Sequence, residues 1–295
     1  MVVVTRDRCQ QVLSSLDRLS RLPDSPPVIV VDNGSSDGTA DAVRQSFPAV
    51  EVVALPENRG APARTVGVER AATPYVAFSD DDSWWAPGSL DRAADAFDAN
   101  PRLGLVAAHV LVGPGERVDP VCGAMAASPI PAGDDLPGPP VLGFLACGSV
   151  VRRRAYLEVG GFDEVIFFLG EETLLAVDLA RAGWELAYVE DVVAHHHPAP
   201  GPPSARRRRL QARNALLTTW MCRPVGVALR TTAETVASAR QDRNLRHALV
   251  DAARAFPSAL ARRRAVHPEV ERRLRLLDAA VGGRTGRGSP AGGAG

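Results

Sequence analysis

The sequence predicts an α/β fold: a Rossmann-like, mostly parallel sheet with helices on both faces, followed by a C-terminal helical extension. In residues 1–204, short apolar runs alternate with helix-spaced segments through short connections. Such alternation builds βαβ units, whose strands are parallel and whose helices cover the sheet. Acidic clusters directly follow two of the apolar runs, at the carboxyl ends of strands where ligands bind in such folds. Residues 205–280 are rich in Arg, Ala and Leu and predict helices, and the Gly-rich segment 281–295 is expected to be disordered.

Four short apolar runs in the first 80 residues predict buried strands: 2–5, 28–31, 50–55 and 75–78. Between the first two runs, leucine and valine recur at helical spacing up to Leu19, which predicts a helix there. A second helix is expected to begin near Thr39, after a dense turn signal at 32–38. A third is expected to end near Ala72.

Beyond residue 100, the pattern predicts two more strands, 103–112 and 186–193. A helix is expected from about Glu171 to Ala182, with Gly183 placed to end it. The connection 113–140 is rich in Pro and Gly and long for a loop, so we expect it to be functional or mobile.

Charge is divided unevenly along a chain that is neutral overall. Residues 1–205 carry 15 Arg and 28 acidic residues, a net charge of −13, whereas residues 206–295 carry 19 Arg and 6 acidic residues, a net charge of +13. The acidic part is a poor nucleic-acid surface, so no nucleic-acid partner is expected. The basic part suits an anionic membrane, an acidic partner or the acidic part of the same chain.

Cysteine usage and the N-terminus indicate a reduced, cytoplasmic protein. Cys9, Cys122, Cys147 and Cys222 are scattered without a CxxC pair, so neither a zinc site nor a disulfide framework is predicted. The apolar start at residues 1–4 is too short for a signal peptide. No apolar run approaches the ~18 residues that a membrane-spanning helix needs.

Three consecutive carboxylates, Asp80, Asp81 and Asp82, directly follow the fourth predicted strand. They repel one another, and a bound divalent cation offsets this repulsion because Mg²⁺ and Mn²⁺ prefer hard oxygen ligands. One or two of these carboxylates, with diphosphate oxygens completing the shell, would hold such a cation. The alternative is a solvated turn in which Ser83 caps a helix.

Asp32 and the pair Glu171–Glu172 are further candidates. Asp32 follows the second strand, where a carboxylate accepts hydrogen bonds from a base or ribose, although Asp is also common in Asx-turns. The two glutamates begin a helix, where its dipole stabilises acids. Their functional interpretation is a general base that takes a proton from an acceptor hydroxyl. The apolar run 165–170 before them could desolvate the carboxylate and raise its pKa.

Three histidines, His195, His196 and His197, follow the last predicted strand. Because successive strand side chains face opposite sides of a sheet, one or two of them are expected to be ligands in a single site. Other chemistries lack support, since the sequence contains no GxSxG nucleophile elbow, no Walker loop and no GxGxxG turn after the first strand.

Six motifs in residues 1–200 resemble, in order, those of the inverting glycosyltransferase family two, whose members have the GT-A fold. They are the turn DNGSSDGT at 32–39, an N-x-G turn at 58–60, a D-x-D motif at 80–82, GGFDE at 160–164, an acidic pair heading a helix that ends in AGW at 171–184, and a histidine after the last strand. Each motif is weak alone, and six in the correct order form a strong signal. The resemblance is to the bacterial, rhamnosyltransferase-like type.

The resemblance implies a nucleotide-sugar donor, a divalent cation (Mn²⁺ or Mg²⁺) and a glycan or lipid-linked acceptor. The residues implied in donor binding are Thr5, Asp32, Asn58, Arg64, Asp80 and Asp81. The implied metal ligands are Asp82, Asp80, His195 and His196. Glu172 stands where the family usually has its catalytic Asp, and Glu171 precedes it.

Three departures from the family pattern concern the base and the acceptor. The pair is Glu-Glu instead of Glu-Asp, Leu174 stands where a second acid commonly follows, and Thr65 replaces the Asn that often follows Arg64. Donor binding is unaffected by these changes, and the choice of base between Glu171 and Glu172 stays open.

Together these features predict an inverting, metal-dependent hexosyltransferase of cell-envelope or polysaccharide synthesis. The alternatives are a catalytically weak scaffold that binds a nucleotide sugar or glycan, and a sugar nucleotidyltransferase, which normally needs a glycine-rich basic loop near its N-terminus. The helices of 205–280 have two interpretations. They contact an anionic membrane, at the inner face of the plasma membrane, or they pack on the acidic domain with Trp220 and Met221 as core.

Overall fold

The computed structural model describes residues 1–133, 135–199, 201 and 204–285. Within these residues, the strands of one sheet are β1 (Val2–Thr5), β2 (Ile29–Asp32), β3 (Glu51–Ala54), β4 (Tyr75–Asp80), β5 (Ser83–Trp85), β6 (Leu103–Val112), β7 (Arg117–Val118), β8 (Ser149–Arg152) and β9 (Glu185–His196). The helices are α1 (Cys9–Leu19), α2 (Thr39–Ser46), α3 (Ala63–Arg70), α4 (Ser89–Ala99), α5 (Pro120–Ala126), α6 (Arg153–Val159), α7 (Glu171–Arg181), α8 (Ala205–Cys222), α9 (Val225–Ala239), α10 (Arg243–Ala261) and α11 (Pro268–Thr285).

The sheet has the strand order β3-β2-β1-β4-β8-β6-β9-β5, with β7 paired to β6. Its first four strands are parallel, and their register places Thr5 opposite Asp32 and Val4 opposite Asp80. The carboxyl ends of β1, β2 and β4 therefore meet at one edge of the sheet. The predicted α/β fold and its parallel βαβ half are confirmed.

The second half of the sheet is mixed and corrects the expectation of a mostly parallel arrangement. Strand β8 runs antiparallel to both β4 and β6, and β5 runs antiparallel to β9. Both strands were absent from the sequence prediction because each is too short to show a period. Ser83, a predicted helix cap in the turn interpretation of the aspartates, lies in β5 opposite His196.

Local sequence explains the elements that the prediction identified. Strands β1 and β2 are almost wholly buried valine-rich runs, as parallel strands covered on both faces require. Helix α1 buries Val12, Leu16 and Leu19, which are one helical turn apart along one face. The connection 113–140, expected to be functional or mobile, contains the short strand β7 and helix α5 among its described residues.

The C-terminal helices pack on the α/β domain through a second apolar core. This core joins Ile166, Leu174 and Val177 of the domain to Leu217 and Met221 of α8. The interpretation that the extension packs on the acidic domain is thus what the contacts show, with Met221 buried and Trp220 partly buried.

Ion pairs reinforce this contact between the basic helices and the acidic domain. Arg262 lies 3.3 Å from Asp163 and 3.2 Å from Glu164, and Arg273 lies 3.1 Å from Glu185. Helix α11 continues to Thr285, past residue 280 where the sequence suggests that the helices end. The remaining part of the expected disordered tail, 286–295, lies outside the described residues.

Across the described residues, none of the helices combines the length and the apolar character that crossing a bilayer requires.

Candidate active site

A cavity of about 1170 Å³ opens where the carboxyl ends of β1 and β4 meet the N-terminus of α7. Its polar wall contains most of the residues singled out in the sequence: Thr5, Asn58, Arg64, Asp80, Asp81, Asp82, Glu171, Glu172 and His196. The strand-end acids and the glutamate pair, separated by about ninety residues in the chain, therefore share one cleft. Such a location matches the general position of ligand sites in open α/β sheets.

The three aspartates at the end of β4 have different partners. Asp80 receives a hydrogen bond from Arg64. Asp81 is buried and accepts from Thr5 Oγ1 at 3.0 Å, with Arg8 Nε at 3.1 Å. Asp82 accepts from Arg8 Nη2 at 2.8 Å. Arg8, which was not among the predicted site residues, therefore neutralises two of the three carboxylates.

Burial and neighbouring charges separate the pKa values of these acids. Burial raises the pKa of Asp81 to about 7, although Arg8 opposes this shift. Burial would also raise the pKa of Asp82, but His196 and Arg8 outweigh it and hold this pKa below its ordinary value. Asp82 is therefore an anion near neutral pH, as a cation ligand must be.

Asp80, Cys147 and His196 each offer one ligand atom, and the three atoms lie within 4.8 Å of one another. A carboxylate and an imidazole suit Mg²⁺ or Mn²⁺, and a thiol favours softer cations. Asp82 Oδ1 lies 3.3 Å from His196 Nε2, beside this cluster. The side chains present thus fit a divalent cation.

Cys147 was missed by the sequence prediction, which found no functional spacing among the cysteines. It lies in the short 3-10 turn Ala146–Gly148 before β8 and is 5% exposed. Burial, followed by the charges of Asp80 and Asp82, raises the pKa of this thiol. Only the tertiary contact of this turn with β4 places the thiol among acids that precede it by more than sixty residues.

The structure separates the two histidines that the sequence could not distinguish. His196 faces Asp82, whereas the ring of His195 stacks on Trp84 with 5.3 Å between centroids and lies 3.3 Å from Glu116. Adjacent residues of β9 point to opposite faces of the sheet. His195, an implied metal ligand, therefore does not lie with Asp80 and His196.

Asp32 is buried at the end of β2 and is engaged in a local turn. Its carboxylate accepts hydrogen bonds from the backbone N–H of Ser35, at 3.1 Å, and from the Ser35 hydroxyl. Among the described residues, Asn33 rather than Asp32 lines the cavity. This geometry matches the Asx-turn alternative for Asp32 and identifies Asn33 as a wall residue that the sequence prediction missed.

The turn carrying Asn58 is held against the end of β2. Asn58 Oδ1 accepts from the backbone N–H of Gly60 at 2.9 Å, and Asn33 Oδ1 accepts from that of Arg59 at 2.7 Å. Gly60 has φ +67°, and a Cβ there would lie 2.3 Å from the carbonyl oxygen of Phe167. Glycine is required at this position because the turn contacts the loop that precedes α7.

The glutamate pair begins α7 after Gly170, and both acids line the cavity. Glu171 is 3% exposed, and its Oε2 has no hydrogen-bond partner among the described residues. Burial, with the charge of Glu172, raises the pKa of Glu171 to about 8. Burial also raises the pKa of Glu172, and Arg64 opposes both shifts. A carboxyl group with a raised pKa is suited to accept a proton near neutral pH.

Arg64 connects the two acidic groups. It is 5% exposed, donates to Asp80, and lies close enough to Glu171 and Glu172 for its charge to shift their pKa values. Its Nε is buried without a hydrogen-bond partner in the described part of the chain. Arg64 Nε and Glu171 Oε2 are thus two buried polar atoms without a hydrogen-bond partner among the described residues.

Another part of the cavity wall is mainly apolar and includes the C-terminal extension. Its residues come from α5, the segment 141–145, the loop before α7, and helices α8 and α11: Val121, Ala124, Met125, Leu142, Phe144, Phe167, Phe168, Leu169, Arg207, Gln211 and Leu277. The sequence prediction did not place the extension at the site, because no local pattern reveals a contact between these distant segments.

The sequence profile of Glycosyl transferase family 2 matches residues 1–160 of this chain. N-acetylglucosaminyl-diphospho-decaprenol L-rhamnosyltransferase from Mycobacterium tuberculosis is 29% identical to it over 228 residues, which cover 64% of this chain and 72% of the relative.

Two solved structures share the fold. A mannosyltransferase from Pyrobaculum calidifontis, in complex with GDP-Man and Mn²⁺, has a TM-score of 0.58 and 21% identity and covers 98% of this chain and 75% of its own. TarS residues 1–349 from S. aureus, in complex with UDP-GlcNAc, has a TM-score of 0.55 and 19% identity and covers 74% of this chain and 65% of its own. The predicted GT-A fold is confirmed by these likenesses.

Proposed function

The chain belongs to glycosyl transferase family 2, and on that premise we propose that it is an inverting, metal-dependent transferase acting on a nucleoside diphosphate sugar. One observation carries this proposal. A single cavity holds a cation-binding set, Asp80, Cys147 and His196, and a separate pair of acids with raised pKa values, Glu171 and Glu172. Inverting transfer needs both functions. One set of groups stabilises the charge of the leaving diphosphate, and a base takes the proton of the attacking hydroxyl.

The donor side of the cavity would bind the nucleotide and the cation. Asp80, His196 and Cys147, with Asp82 beside them, would hold Mn²⁺ or Mg²⁺, and the mannosyltransferase with the same fold was solved with GDP-Man and Mn²⁺. A bound cation supplies charge neutralisation for the departing diphosphate. Thr5, Asn58 and Arg64 line this side and would contact the donor together with Asp80 and Asp81, and Asp32 would act by shaping the turn that presents Asn33.

Glu172 is proposed as the general base. It is less buried than Glu171 and lines the cavity, so an acceptor hydroxyl has access to its carboxylate. As that hydroxyl attacks the anomeric carbon, Glu172 takes its proton while the bond to the diphosphate breaks. The anomeric centre inverts because the two groups lie on opposite faces of the sugar, and no covalent enzyme intermediate forms.

The acceptor is proposed to be lipid-linked. The M. tuberculosis relative is named for an acceptor built on decaprenol diphosphate. The cavity of this chain has a matching apolar wall, with Met125, Leu142 and Phe144 buried in it and Phe167 and Phe168 at its exposed edge. A role in cell-envelope or polysaccharide synthesis follows from an acceptor of this kind.

Peripheral contact with the inner face of the plasma membrane is proposed for α9. Val225, Leu229 and Val236 are between 47% and 56% exposed and lie on a basic extension whose residues 206–295 carry a net charge of +13. Exposed apolar side chains with neighbouring arginines suit an anionic membrane surface. Flotation with anionic liposomes at low salt, lost in a Val225→Asp, Leu229→Asp variant, would support this location; equal flotation of the variant would reject it.

The domain organisation follows from these roles. Residues 1–204 would form the GT-A catalytic domain, and 205–280 the Arg-rich helical extension that covers the acceptor side. The segment 281–295 would be a tail without a catalytic role. A chain ending at residue 285 should therefore keep the full activity.

A nucleotide-sugar panel tests the function. UDP-, GDP- and dTDP-sugars are each added with Mn²⁺ or Mg²⁺, and the donor at about a hundred times its Kd should stabilise the fold by ~2.7 kcal/mol. Release of the nucleoside diphosphate should then depend on a polyprenyl-diphosphate N-acetylglucosamine acceptor. Stabilisation without any transfer would indicate a binding scaffold, and pyrophosphate release from a nucleoside triphosphate and a sugar phosphate would indicate a nucleotidyltransferase.

A further inference from the structure

We propose that Asn214 of the C-terminal extension is a positioning residue that holds the loop 165–170 in the shape required for acceptor binding. Asn214 is 0% exposed, and its Nδ2 lies 2.9, 2.7 and 2.7 Å from the carbonyl oxygens of Ile166, Phe168 and Leu169, which share its two N–H donors. One carboxamide thus gathers three carbonyl groups of a loop that precedes it by 45 to 48 residues. The assignment of the acceptor to this loop rests on the proposed function.

The orientation of the Asn214 carboxamide is itself determined by a neighbour. Arg213 Nη1 donates to Asn214 Oδ1 at 2.6 Å and to the carbonyl oxygen of Val165 at 2.8 Å. With its oxygen engaged by a cation, the carboxamide presents only N–H donors to the loop. Two adjacent residues of α8 therefore bind four of the loop's carbonyl groups.

The loop needs such support because its backbone is unfavourable by itself. Phe167 has φ +61° and Leu169 has φ +69°, which is the left-handed region that side chains with a Cβ rarely adopt. Conformations of this kind persist where surrounding contacts impose them. Besides the α8 contacts, the carbonyl oxygen of Phe167 accepts from the backbone N–H of Ala61 at 2.6 Å.

The loop has functional neighbours on both sides. It ends at Gly170, directly before Glu171 and Glu172, and Ala61 belongs to the turn that carries Asn58. Phe167 and Phe168 stay 37% and 39% exposed at the cavity, and the Arg207 guanidinium lies 5.8 Å from the Phe168 ring centroid. Releasing the loop would misplace the apolar wall while leaving the cation ligands of the sheet where they are.

The test compares Asn214→Ala and Asn214→Asp with Thr219→Ala, a control on the same helix. Alanine keeps the helix propensity of α8 and removes the donors, and aspartate keeps the shape but turns the donors into acceptors. The Thr219 hydroxyl donates to the carbonyl oxygen of Ala215 in its own helix, so its replacement leaves the Asn214 contacts with the loop intact. Urea unfolding shows whether each variant is folded. If Asn214→Asp does not fold, the comparison of Asn214→Ala with Thr219→Ala tests the proposal.

Two readouts are then taken. Chymotrypsin cleavage after Phe167 or Phe168 should be at least about tenfold faster in both Asn214 variants, because cleavage follows local opening of the loop. With the polyprenyl-diphosphate N-acetylglucosamine acceptor, the KM for the acceptor should rise about tenfold, whereas the affinity for Mn²⁺ alone should change by less than about twofold, because only the apolar wall is disturbed.

The outcomes separate this inference from the proposed function. If no transfer is found with any donor, the function fails while the cleavage rates still test the loop contact. If Asn214→Ala is folded and cleaved like the control, the contact does not hold the loop. Faster cleavage with an unchanged acceptor KM would overturn the link between the loop and acceptor binding.

Discussion

The two sides of the cavity are built in different ways. On the donor side, Asp32, Asp81 and Asp82 are engaged by Ser35, Thr5 and Arg8, all from the first 82 residues. On the acceptor side, Glu171 has an oxygen without a partner among the described residues, and its preceding loop is held by Asn214 from a separate helix.

The donor side is therefore a preorganised surface, and the acceptor side is a more adaptable one. On the donor side, Asp32, Asp81 and Asp82 are held by partners near the strand ends, and His196 and Cys147 join the aspartates from β9 and the turn before β8. Charged groups fixed in this way would favour recognition of a constant chemical group, such as the proposed diphosphate. The acceptor side depends on long-range contacts, and such a wall can change between relatives without disturbing donor binding. Of the departures from the family pattern, Glu172 lies on that acceptor side, whereas Leu174 is buried in the second core.

The largest expected effect comes from the base on the acceptor side. Glu172→Gln keeps the size of the side chain but cannot take a proton, so transfer should fall by at least about a hundredfold. Donor affinity, measured by calorimetry with Mn²⁺, should stay within about threefold because the donor side is intact. Transfer at the wild-type rate would move the role of base to Glu171.

The next effect concerns the cation on the donor side. His196→Ala removes one of three clustered ligands, and Mn²⁺ affinity followed by electron paramagnetic resonance should fall about 30- to 100-fold. His195→Ala is the matched control, since the neighbouring ring faces Trp84 instead of Asp80. A larger loss of Mn²⁺ binding in the His195 variant than in the His196 variant would contradict the assignment.

A smaller effect links burial of Glu171 to stability. The pKa of Glu171 is about 8 in the folded chain, above the ordinary value of 4.5. At a pH between these two values, the unfolded chain has lost a proton that the folded chain keeps. Stability should therefore fall as pH rises from 4.5 to 8. Glu171→Gln cannot ionise, so at pH 8 its free energy of unfolding should exceed the wild-type value by at least about 1 kcal/mol.

Urea unfolding at several pH values checks this expectation. The advantage of Glu171→Gln should shrink steadily towards pH 4.5, below which both states of the wild type keep the proton. Parallel pH profiles for the two proteins would show that burial does not raise the pKa of Glu171 in the folded chain.

The smallest effect tests the thiol on the donor side. Cys147→Ser replaces a soft ligand by a hard one, so Cd²⁺ affinity should fall about fivefold while Mg²⁺ affinity changes by less than about twofold. Cys222→Ser is the control, because Cys222 is equally buried but lies in the second core, away from the aspartates. Equal losses of Cd²⁺ affinity in the two variants would exclude Cys147 as a ligand.

Much of the fold was predictable because its signals are local. The valine-rich runs of β1 and β2 and the helical spacing of Val12, Leu16 and Leu19 are patterns of neighbouring residues. Strands β5 and β8 left no such signal, since three or four residues become a strand only when partners are present on the adjoining strands. The antiparallel part of the sheet was missed for this reason.

The sequence by itself determined the parallel strands and the acids at their carboxyl ends, because chain direction and strand periodicity bring Asp32 and Asp80 to one edge of the sheet. Tertiary structure alone decided that His196 and not His195 faces the aspartates, that Cys147 joins them, and that Asn214 contacts the loop before α7. These contacts join segments about 45 to 115 residues apart, and side-chain packing, which no local pattern encodes, selects among the many that the chain could form.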